Sequence, residues 1–133
     1  MREILFRGKR EDNGNWICGS LHKSITDYFI IPLPLLTSKS KVDPSTVGQF
    51  TGLTDKNDKK IFEGDIVHIL GNQDVADWKN VDYTALIAFL DGGFCAIDGT
   101  VEEHGFRRYA LARLDFSLEV IGNIHDNPEL LEG

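Results

Sequence analysis

The segment Ile61-Phe62-Glu63-Gly64-Asp65-Ile66-Val67-His68-Ile69-Leu70 gives the clearest indication of the fold. Residues 66–70 are rich in β-branched and aliphatic side chains, which favour an extended strand. Ile61-Phe62 is a second apolar run, and Glu63-Gly64-Asp65 between the two has the composition of a sharp turn. The pattern therefore predicts a strand, a tight corner and another strand, as in small antiparallel sheets.

Similar short β-prone runs recur on both sides of this segment, separated by polar or glycine-containing turns. They lie at residues 4–6, 16–21, 26–36, 47–53, 94–97 and 118–124. Between the first two, Asp12-Asn13-Gly14-Asn15 contains Asn-Gly, which predicts a two-residue hairpin turn with both residues at positive φ. Many short strands with such turns predict a mainly β chain, arranged as a small barrel or sandwich.

Three other segments complete the prediction. Residues 83–90 are apolar on both faces and predict a fully buried strand. In 100–116, apolar residues spaced by four indicate a helix, whereas the alternation around Tyr109 and Leu111 also fits a strand; of the two, we predict a short helix. Asn127-Pro128-Glu129 predicts the start of a short helical turn, because Asn caps a helix and Pro fits its first position.

The most apolar stretch is 28–36, which is too short to span a bilayer and contains Pro32 and Pro34. The prolines remove backbone donors and favour the edge of a sheet. Side chains alternate along a strand, so Ile30 points outward if Phe29 and Ile31 point inward. Such outward apolar groups need a cover, which predicts a homo-oligomer with this segment near the interface.

The net charge is −7, from 14 basic and 21 acidic residues. Proteins that bind nucleic acid non-specifically gain affinity by neutralising phosphates, so this balance argues against such binding. The charge is uneven, since 61–106 holds nine acids and only Lys79, whereas 37–60 holds five lysines and three aspartates. A local basic patch therefore remains as an alternative to an ordinary solvated surface.

Length and cysteine content limit the class of protein to which the chain can belong. A chain of 133 residues is the usual size of one domain, which predicts a single domain over 1–133. The opening residues MREILFRGKR lack the order of a signal peptide, which predicts a cytoplasmic protein. In that compartment Cys18 and Cys95 are expected to be unpaired.

Several motifs together resemble the YopX family, small proteins encoded by bacteriophages and prophages. They stand in the family's order and cover nearly the whole chain: Phe6-Arg7, Gly48-Gln49-Phe50-Thr51-Gly52-Leu53-Thr54-Asp55-Lys56-Asn57, Ile61-Phe62-Glu63-Gly64-Asp65-Ile66-Val67, Val120-Ile121-Gly122-Asn123-Ile124-His125 and Asn127-Pro128-Glu129-Leu130. The resemblance implies an SH3-like β-barrel core with additional strands and one or two short helical turns. It implies no activity and no catalytic residue, because the family has neither assigned.

The sequence departs from the family pattern at two positions. Asp58 stands where family members commonly have Gly after Asp-Lys-Asn, and His125 stands where an aromatic residue is common. Asp tolerates left-handed backbone less well than Gly does. The motifs themselves suit tight corners of a small sheet, so we interpret them as structural in preference to a binding site.

A search for catalytic chemistry identifies little. None of the histidines (His22, His68, His104 and His125) pairs with another at metal-ligand spacing. Asp55-x-Asn57 resembles the opening of a calcium loop, but lysines at 59 and 60 break the pattern. Cys18, Ser20 and His22 would share one face of a strand, yet no orienting acid can be named for them. We therefore predict no catalytic residue, cofactor or metal ligand.

Three classes of function are considered. A non-enzymatic protein-interaction module, acting on a host or phage protein, is the first expectation, because small sheets present loops and faces on a rigid scaffold. A nucleic-acid-associated protein is the alternative, using the lysines of 37–60 together with basic residues near the start, Arg2, Arg7, Lys9 and Arg10. An enzyme is the weakest of the three hypotheses.

Overall fold

A computed structural model describes residues 4–32, 38–71, 82–90, 92–98, 108–110 and 116–131. These residues form short strands and two 3-10 helices, at Pro44–Thr46 and Pro128–Leu131. The strands are β1 (Phe6–Lys9), β2 (Trp16–Lys23), β3 (Tyr28–Ile31), β4 (Ser40–Val42), β5 (Gly48–Thr54), β6 (Lys60–Phe62), β7 (Asp65–Gly71), β8 (Asp82–Leu90), β9 (Gly93–Asp98), β10 (Arg108–Ala110) and β11 (Phe116–Asn123). The mainly β prediction is confirmed.

The chain divides into two compact units, Met1–Gly52 and Leu53–Gly133. The prediction of one domain over 1–133 stays a prediction. Among the described residues, no helix is long and apolar enough to cross a membrane.

In the first unit the strands pair antiparallel in the order β4-β3-β2-β1-β5. The β1–β2 hairpin is longer than the predicted two-residue turn. Arg10 N donates to Asn15 O at 2.9 Å and Gly14 N donates to Arg10 O at 2.8 Å, which closes a wider loop. Gly14 has a φ of 73°, whereas Asn13 stays at negative φ, because this loop needs only one left-handed residue.

One side of this sheet is packed. Ile30 and Val42 are fully buried there, beside the buried backbone of Gly8. A Cβ on Gly8 would lie 3.1 Å from Val42 Cβ and 3.3 Å from Ile30 Cδ1, so glycine leaves the space that these side chains fill. The expected outward orientation of Ile30 is therefore wrong. β3 is also not an edge, because it pairs with both β2 and β4.

In the second unit the strands pair in the order β10-β9-β8-β7-β11, all antiparallel. β7 is the strand predicted at 66–70, and it lies between two partners. Its alternate residues enter the core of this unit together with side chains from the neighbouring strands. The buried members of that core are Ile61, Val67, Ile69, Ala85, Ile87 and Ala96.

Two strand predictions in this unit need correction. β8 is not buried throughout, because it extends past the core into the β8–β9 hairpin, where Phe89 is 51% exposed. There Phe89 packs edge-to-face on Phe94, with 5.0 Å between ring centroids. Within 100–116, residues 108–110 form a strand that pairs with β9, so the helix expected there is wrong at these positions. The remainder of 100–116 lies outside the described residues.

The strand pairings give two antiparallel sheets, and no closed barrel is found among the described residues. The SH3-like barrel is therefore not confirmed. The short helical turn at 127–129 is confirmed, since a 3-10 helix begins at Pro128. The polar residues 38–46 contain β4 and the 3-10 helix at Pro44–Thr46.

Candidate functional site

The Glu63-Gly64-Asp65 motif is a corner held by backbone hydrogen bonds. Gly64 adopts a φ of 88°, in the left-handed region that favours glycine. Its N–H donates to Ile87 O at 2.9 Å, and its carbonyl accepts from Ile124 N at 2.8 Å. The buried carboxylate of Asp65 accepts from Phe62 N at 2.8 Å. These contacts give the motif a structural role.

Asp55 is the central acceptor of the next motif. Its Oδ1 accepts from Asn57 N at 2.8 Å and from Lys59 N at 2.9 Å, which closes the turn. Its Oδ2 accepts from Val120 N at 2.9 Å, which ties the turn to β11. Burial is the largest influence on the pKa of Asp55 and opposes ionisation. The three backbone donors, helped by the charge of Lys59, outweigh it and hold that pKa below its usual value.

Asp58 occupies the strained position of the same turn, with a φ of 63°. We expect Asp58→Gly to raise the free energy of unfolding by about 0.5–1 kcal/mol, because glycine adopts this φ without steric cost. Urea unfolding measures the change. The matched control is Asn57→Gly, one residue earlier and not at positive φ, which should lower stability. An unchanged or lower stability for Asp58→Gly would contradict the assignment of strain.

The motif at 120–130 is also structural. β11 contains a bulge between Val120 and Gly122, and a Cβ on Gly122 would lie 2.6 Å from Asn127 Oδ1 and 2.8 Å from Leu130 Cδ1. Asn127 N donates to Asn123 O at 2.8 Å, which closes the turn before the last 3-10 helix. The motif residues therefore stabilise the packing of the second unit, which leaves other surfaces as candidates for binding.

Ser20 and His22 form the nearest approach to a catalytic pair. Ser20 Oγ lies 3.4 Å from His22 Nε2, on the same side of β2 as the exposed Cys18. A base of this kind needs a carboxylate or carbonyl on its other nitrogen to hold it in place. The residue opposite His22 on β3 is Phe29, and no described residue donates or accepts at His22 Nδ1. The pair can bind a polar ligand, and among the described residues no acid or carbonyl orients the His22 ring.

A metal centre is not found in the described part of the chain. No group of three or more His, Cys, Asp or Glu side chains there could hold a metal ion. Asp55, which begins the calcium-like pattern, directs both its oxygens at backbone donors. The turn is thus built around N–H groups in place of a cation.

The strongest concentration of ligand-binding chemistry lies on the first sheet, on the side opposite Ile30 and Val42. The register pairs Lys9 with Trp16, Arg7 with Cys18 and His22 with Phe29, and paired residues point to the same side. None of the side chains on this side of β1–β3 is buried. We name this surface the cation–aromatic face: Arg7, Lys9, Trp16, Cys18, Ser20, His22, Phe29 and Lys39.

Its cations lie against its rings. The Arg7 guanidinium carbon lies 4.7 Å, and Lys9 Nζ 5.5 Å, from the centroid of Trp16. Lys39 Nζ lies 4.4 Å from the centroid of Phe29. Each such contact contributes roughly 0.5–1 kcal/mol at an exposed site, which is enough to orient the side chains. The face therefore presents positive charge and flat aromatic surface together.

The face has definite limits. Lys41 lies on the same side, but its Nζ is 3.3 Å from both Asp27 and Glu11. The hydrogen bond to Asp27, followed by that to Glu11, raises the pKa of Lys41, so its charge is engaged locally. On β5, Phe50 points to the same side and is buried, so the exposed part of the sheet ends at β1.

Sequence reasoning identified parts of this face separately. Arg7 and Lys9 belonged to the alternative basic patch, and the shared side of Cys18, Ser20 and His22 was expected. The two rings were missed because their contacts depend on which strands pair and in which register. A usable signal was the alternation of Trp16, Cys18, Ser20 and His22 along a single strand.

The fold and these turns define a class, a small antiparallel β protein whose corners are held by glycines and buried carboxylates. The chain belongs to the YopX protein family, whose model matches residues 5–132. The family resemblance found in the sequence is therefore confirmed. A comparison with curated proteins gives no match.

A solved structure supports the fold. The crystal structure of protein EF1440 from Enterococcus faecalis resembles this chain with a TM-score of 0.50 and 23% sequence identity. The match covers 99% of this chain and 100% of that one. At this identity the likeness concerns the fold and carries no function with it.

Proposed function

We propose that the chain is a non-enzymatic binding module that holds its ligand on the cation–aromatic face. The observation that carries this proposal is the clustering of three cations against Trp16 and Phe29 on an unburied sheet surface. A surface that offers cations beside flat apolar rings can bind a ligand that carries both negative charge and planar groups. The absence of an orienting acid at His22 among the described residues supports binding over catalysis.

Two partner classes were expected from the sequence. A host or phage protein was the first and nucleic acid the alternative. The face favours the alternative, because an acidic protein surface needs cations alone, whereas nucleic acid uses cations and rings together. A host or phage protein as partner remains an outcome that the experiment below can report.

From the family resemblance we also propose that the chain is phage- or prophage-encoded, acts in the host bacterial cytoplasm and has an SH3-like core. A homo-oligomer is retained as a proposal without a defined interface. Ile30 does not contribute to such an interface, because its side chain is fully buried.

Cross-linking at Cys18 tests the location of the binding surface. Cys18 is exposed in the middle of the face and Cys95 is buried, so a thiol-directed photo-cross-linker should label Cys18 in the folded protein. The control carries Cys18→Ser and Ser117→Cys, which moves the linker to an exposed position on β11. In bacterial cells we expect adducts, scored separately as protein or nucleic acid, from Cys18 only.

The adduct should also depend on the chemistry of the face. Lys39→Ala, which removes an exposed cation from the surface, should reduce the adduct at Cys18 severalfold. Equal adducts from the two linker positions, or an adduct at Cys18 that Lys39→Ala leaves unchanged, would refute the proposed surface.

A further inference from the structure

The loop that joins β1 to β2 contains a reactive dipeptide that lies outside the cation–aromatic face. Of the seven asparagines in the sequence, Asn13 alone is followed by glycine. Residues 11–15 are all exposed, so solvent reaches both members of this pair. In such a pair the glycine nitrogen can attack the asparagine side chain, because glycine has no side chain of its own to hinder the approach.

The side chain of Asn13 is held in a turn of three residues. Its carboxamide oxygen, Oδ1, accepts a hydrogen bond from Asn15 N at 2.9 Å. Gly14 between them has a φ of 73°, and a Cβ there would meet nothing within 4 Å, so the space beside this glycine is open. The Asn15 N–H polarises the carboxamide, since negative charge collects on Oδ1 when a nucleophile adds to its carbon.

We propose that Asn13 is a site of spontaneous deamidation and that the Asn15 N–H activates its carboxamide. Gly14 N forms a bond to Asn13 Cγ, and its proton passes through solvent to the departing nitrogen. The Cγ–Nδ2 bond breaks, ammonia leaves and a cyclic imide remains. Water then adds to either carbonyl of the imide and opens the ring, which leaves aspartate or isoaspartate at position 13.

One contact of the loop opposes the first step. Gly14 N donates to Arg10 O at 2.8 Å, and the nitrogen must lose this proton in order to attack. Exposed loop tips open locally at a small cost in free energy, which releases such a bond to water. The contact between Asn13 and Asn15 is local to three residues and does not involve Arg10. It therefore holds the carboxamide when the loop opens.

The conversion changes the end of the β1–β2 hairpin. Both products carry a carboxylate, which adds negative charge to a loop in which Arg10 already pairs with Asp12. Isoaspartate also adds a carbon to the backbone between Arg10 N and Asn15 O, whose 2.9 Å hydrogen bond closes the loop. The reaction thus alters both the charge and the length of this loop.

Asp58→Gly provides a matched comparison, because it places the same dipeptide in the turn after Asp55. Asp58 has a φ of 63°, and its N–H donates to Asp55 O at 3.0 Å, much as Gly14 donates within its own loop. Asn57 is also exposed, but no described residue donates a hydrogen bond to its carboxamide. The contact from Asn15 N is therefore the main difference between the two sites.

Peptide mass spectrometry of the folded Asp58→Gly protein compares the two sites in one chain. The protein is incubated at mildly alkaline pH in water enriched in heavy oxygen, which marks each imide that hydrolyses during the incubation. We expect Asn13 to convert roughly tenfold faster than Asn57, a smaller gain than an oxyanion donor gives in a closed active site. Isoaspartate should appear at position 13, because direct hydrolysis of the carboxamide gives aspartate alone.

Two controls separate the effect of the loop from that of the dipeptide. In concentrated guanidinium chloride both turns are lost, and the two rates should approach each other. Asn13→Gln keeps a carboxamide but moves it one carbon further from Gly14 N, so position 13 should stay unconverted. Circular dichroism establishes that each variant is folded in buffer. An unconverted Asn13, a product without isoaspartate, or equal rates at Asn13 and Asn57 in the folded chain would overturn the proposal.

Discussion

Asp55→Ala is expected to lower the free energy of unfolding by about 3–5 kcal/mol. The carboxylate accepts three backbone hydrogen bonds, from Asn57, Lys59 and Val120, and its removal leaves all three donors without that acceptor. Hydrogen bonds to a charged group contribute roughly 1.5–3 kcal/mol each, and bonds that share one acceptor are not additive. Urea unfolding followed by far-ultraviolet circular dichroism measures the loss.

A control and a pH series make this prediction specific. Asp12→Ala removes the same charge from an exposed carboxylate that pairs with Arg10, and it should change stability by less than about 1 kcal/mol. The pKa of Asp55 is lower in the folded state than its unfolded value of 3.8. The ionised carboxylate therefore stabilises the fold above pH 3.8 and loses this contribution as the pH falls through the folded-state pKa.

The difference in the free energy of unfolding between the natural protein and Asp55→Asn should consequently be largest at neutral pH, and it should shrink under acid conditions. Two results would show that the carboxylate does not hold the turn to β11. One is a difference that is the same at neutral and acid pH, and the other is a loss of stability in Asp55→Ala no greater than that in Asp12→Ala.

Gly19→Ala is expected to lower the free energy of unfolding by about 3 kcal/mol or more. A Cβ at this position would lie 2.7 Å from the carbonyl carbon of Ile31 and 2.9 Å from Pro32 Cα. Both are backbone atoms of the neighbouring chain segment, so the clash cannot be relieved by rotating a side chain. Overpacking of this kind costs about 1–3 kcal/mol or more, and here β2 and β3 must move apart. The midpoint temperature of thermal unfolding should fall by roughly 10 °C.

The control is Gly93→Ala, the same substitution at the start of β9, where an added Cβ meets nothing within 4 Å. Gly93 is also not at positive φ, so alanine should be neutral or slightly stabilising there. Equal effects at the two positions would show that the close approach of β2 and β3 at Gly19 is not a constraint on the fold.

Local sequence patterns predicted much of the fold. The Glu63-Gly64-Asp65 corner, β7 and the helical turn after Asn127 were all predictable, because each depends on residues adjacent in sequence. Turn glycines, β-branched runs and capping residues restrict the backbone locally, whatever the rest of the chain does. The mainly β class follows from the number of such segments.

The errors share a different cause, since each depended on partners distant in sequence. Ile30 was expected to point outward, but it lies on the same side of the sheet as Val42 and both side chains pack over Gly8 of β1, an arrangement that alternation alone cannot assign. Residues 108–110 had a pattern compatible with either helix or strand, and pairing with β9 decided it. The end of β8 is exposed because the strand is longer than the core it crosses.

The contacts within the candidate site were even less predictable from the sequence, for the same reason. Lys9 and Trp16 are seven residues apart and Lys39 and Phe29 are ten apart, so composition gives no reason to connect them. The register of β1 with β2 brings the first pair together, and the pairing of β3 with β4, which begins directly after Lys39, brings the second together. Asp55 resembled a metal ligand for a related reason, because the backbone donor at Val120 lies 65 residues away.

Amide chemical-shift mapping with a twelve-nucleotide oligothymidylate, a single-stranded nucleic acid, tests the binding face most directly, because it reports every strand in one experiment. We predict that the largest shift changes fall on Trp16–Lys23 and Tyr28–Ile31, with Phe116–Asn123 in the second sheet unchanged. Shift changes concentrated in the second sheet, or saturable binding that leaves β2 and β3 unaffected, would contradict the assignment of the cation–aromatic face as the binding surface.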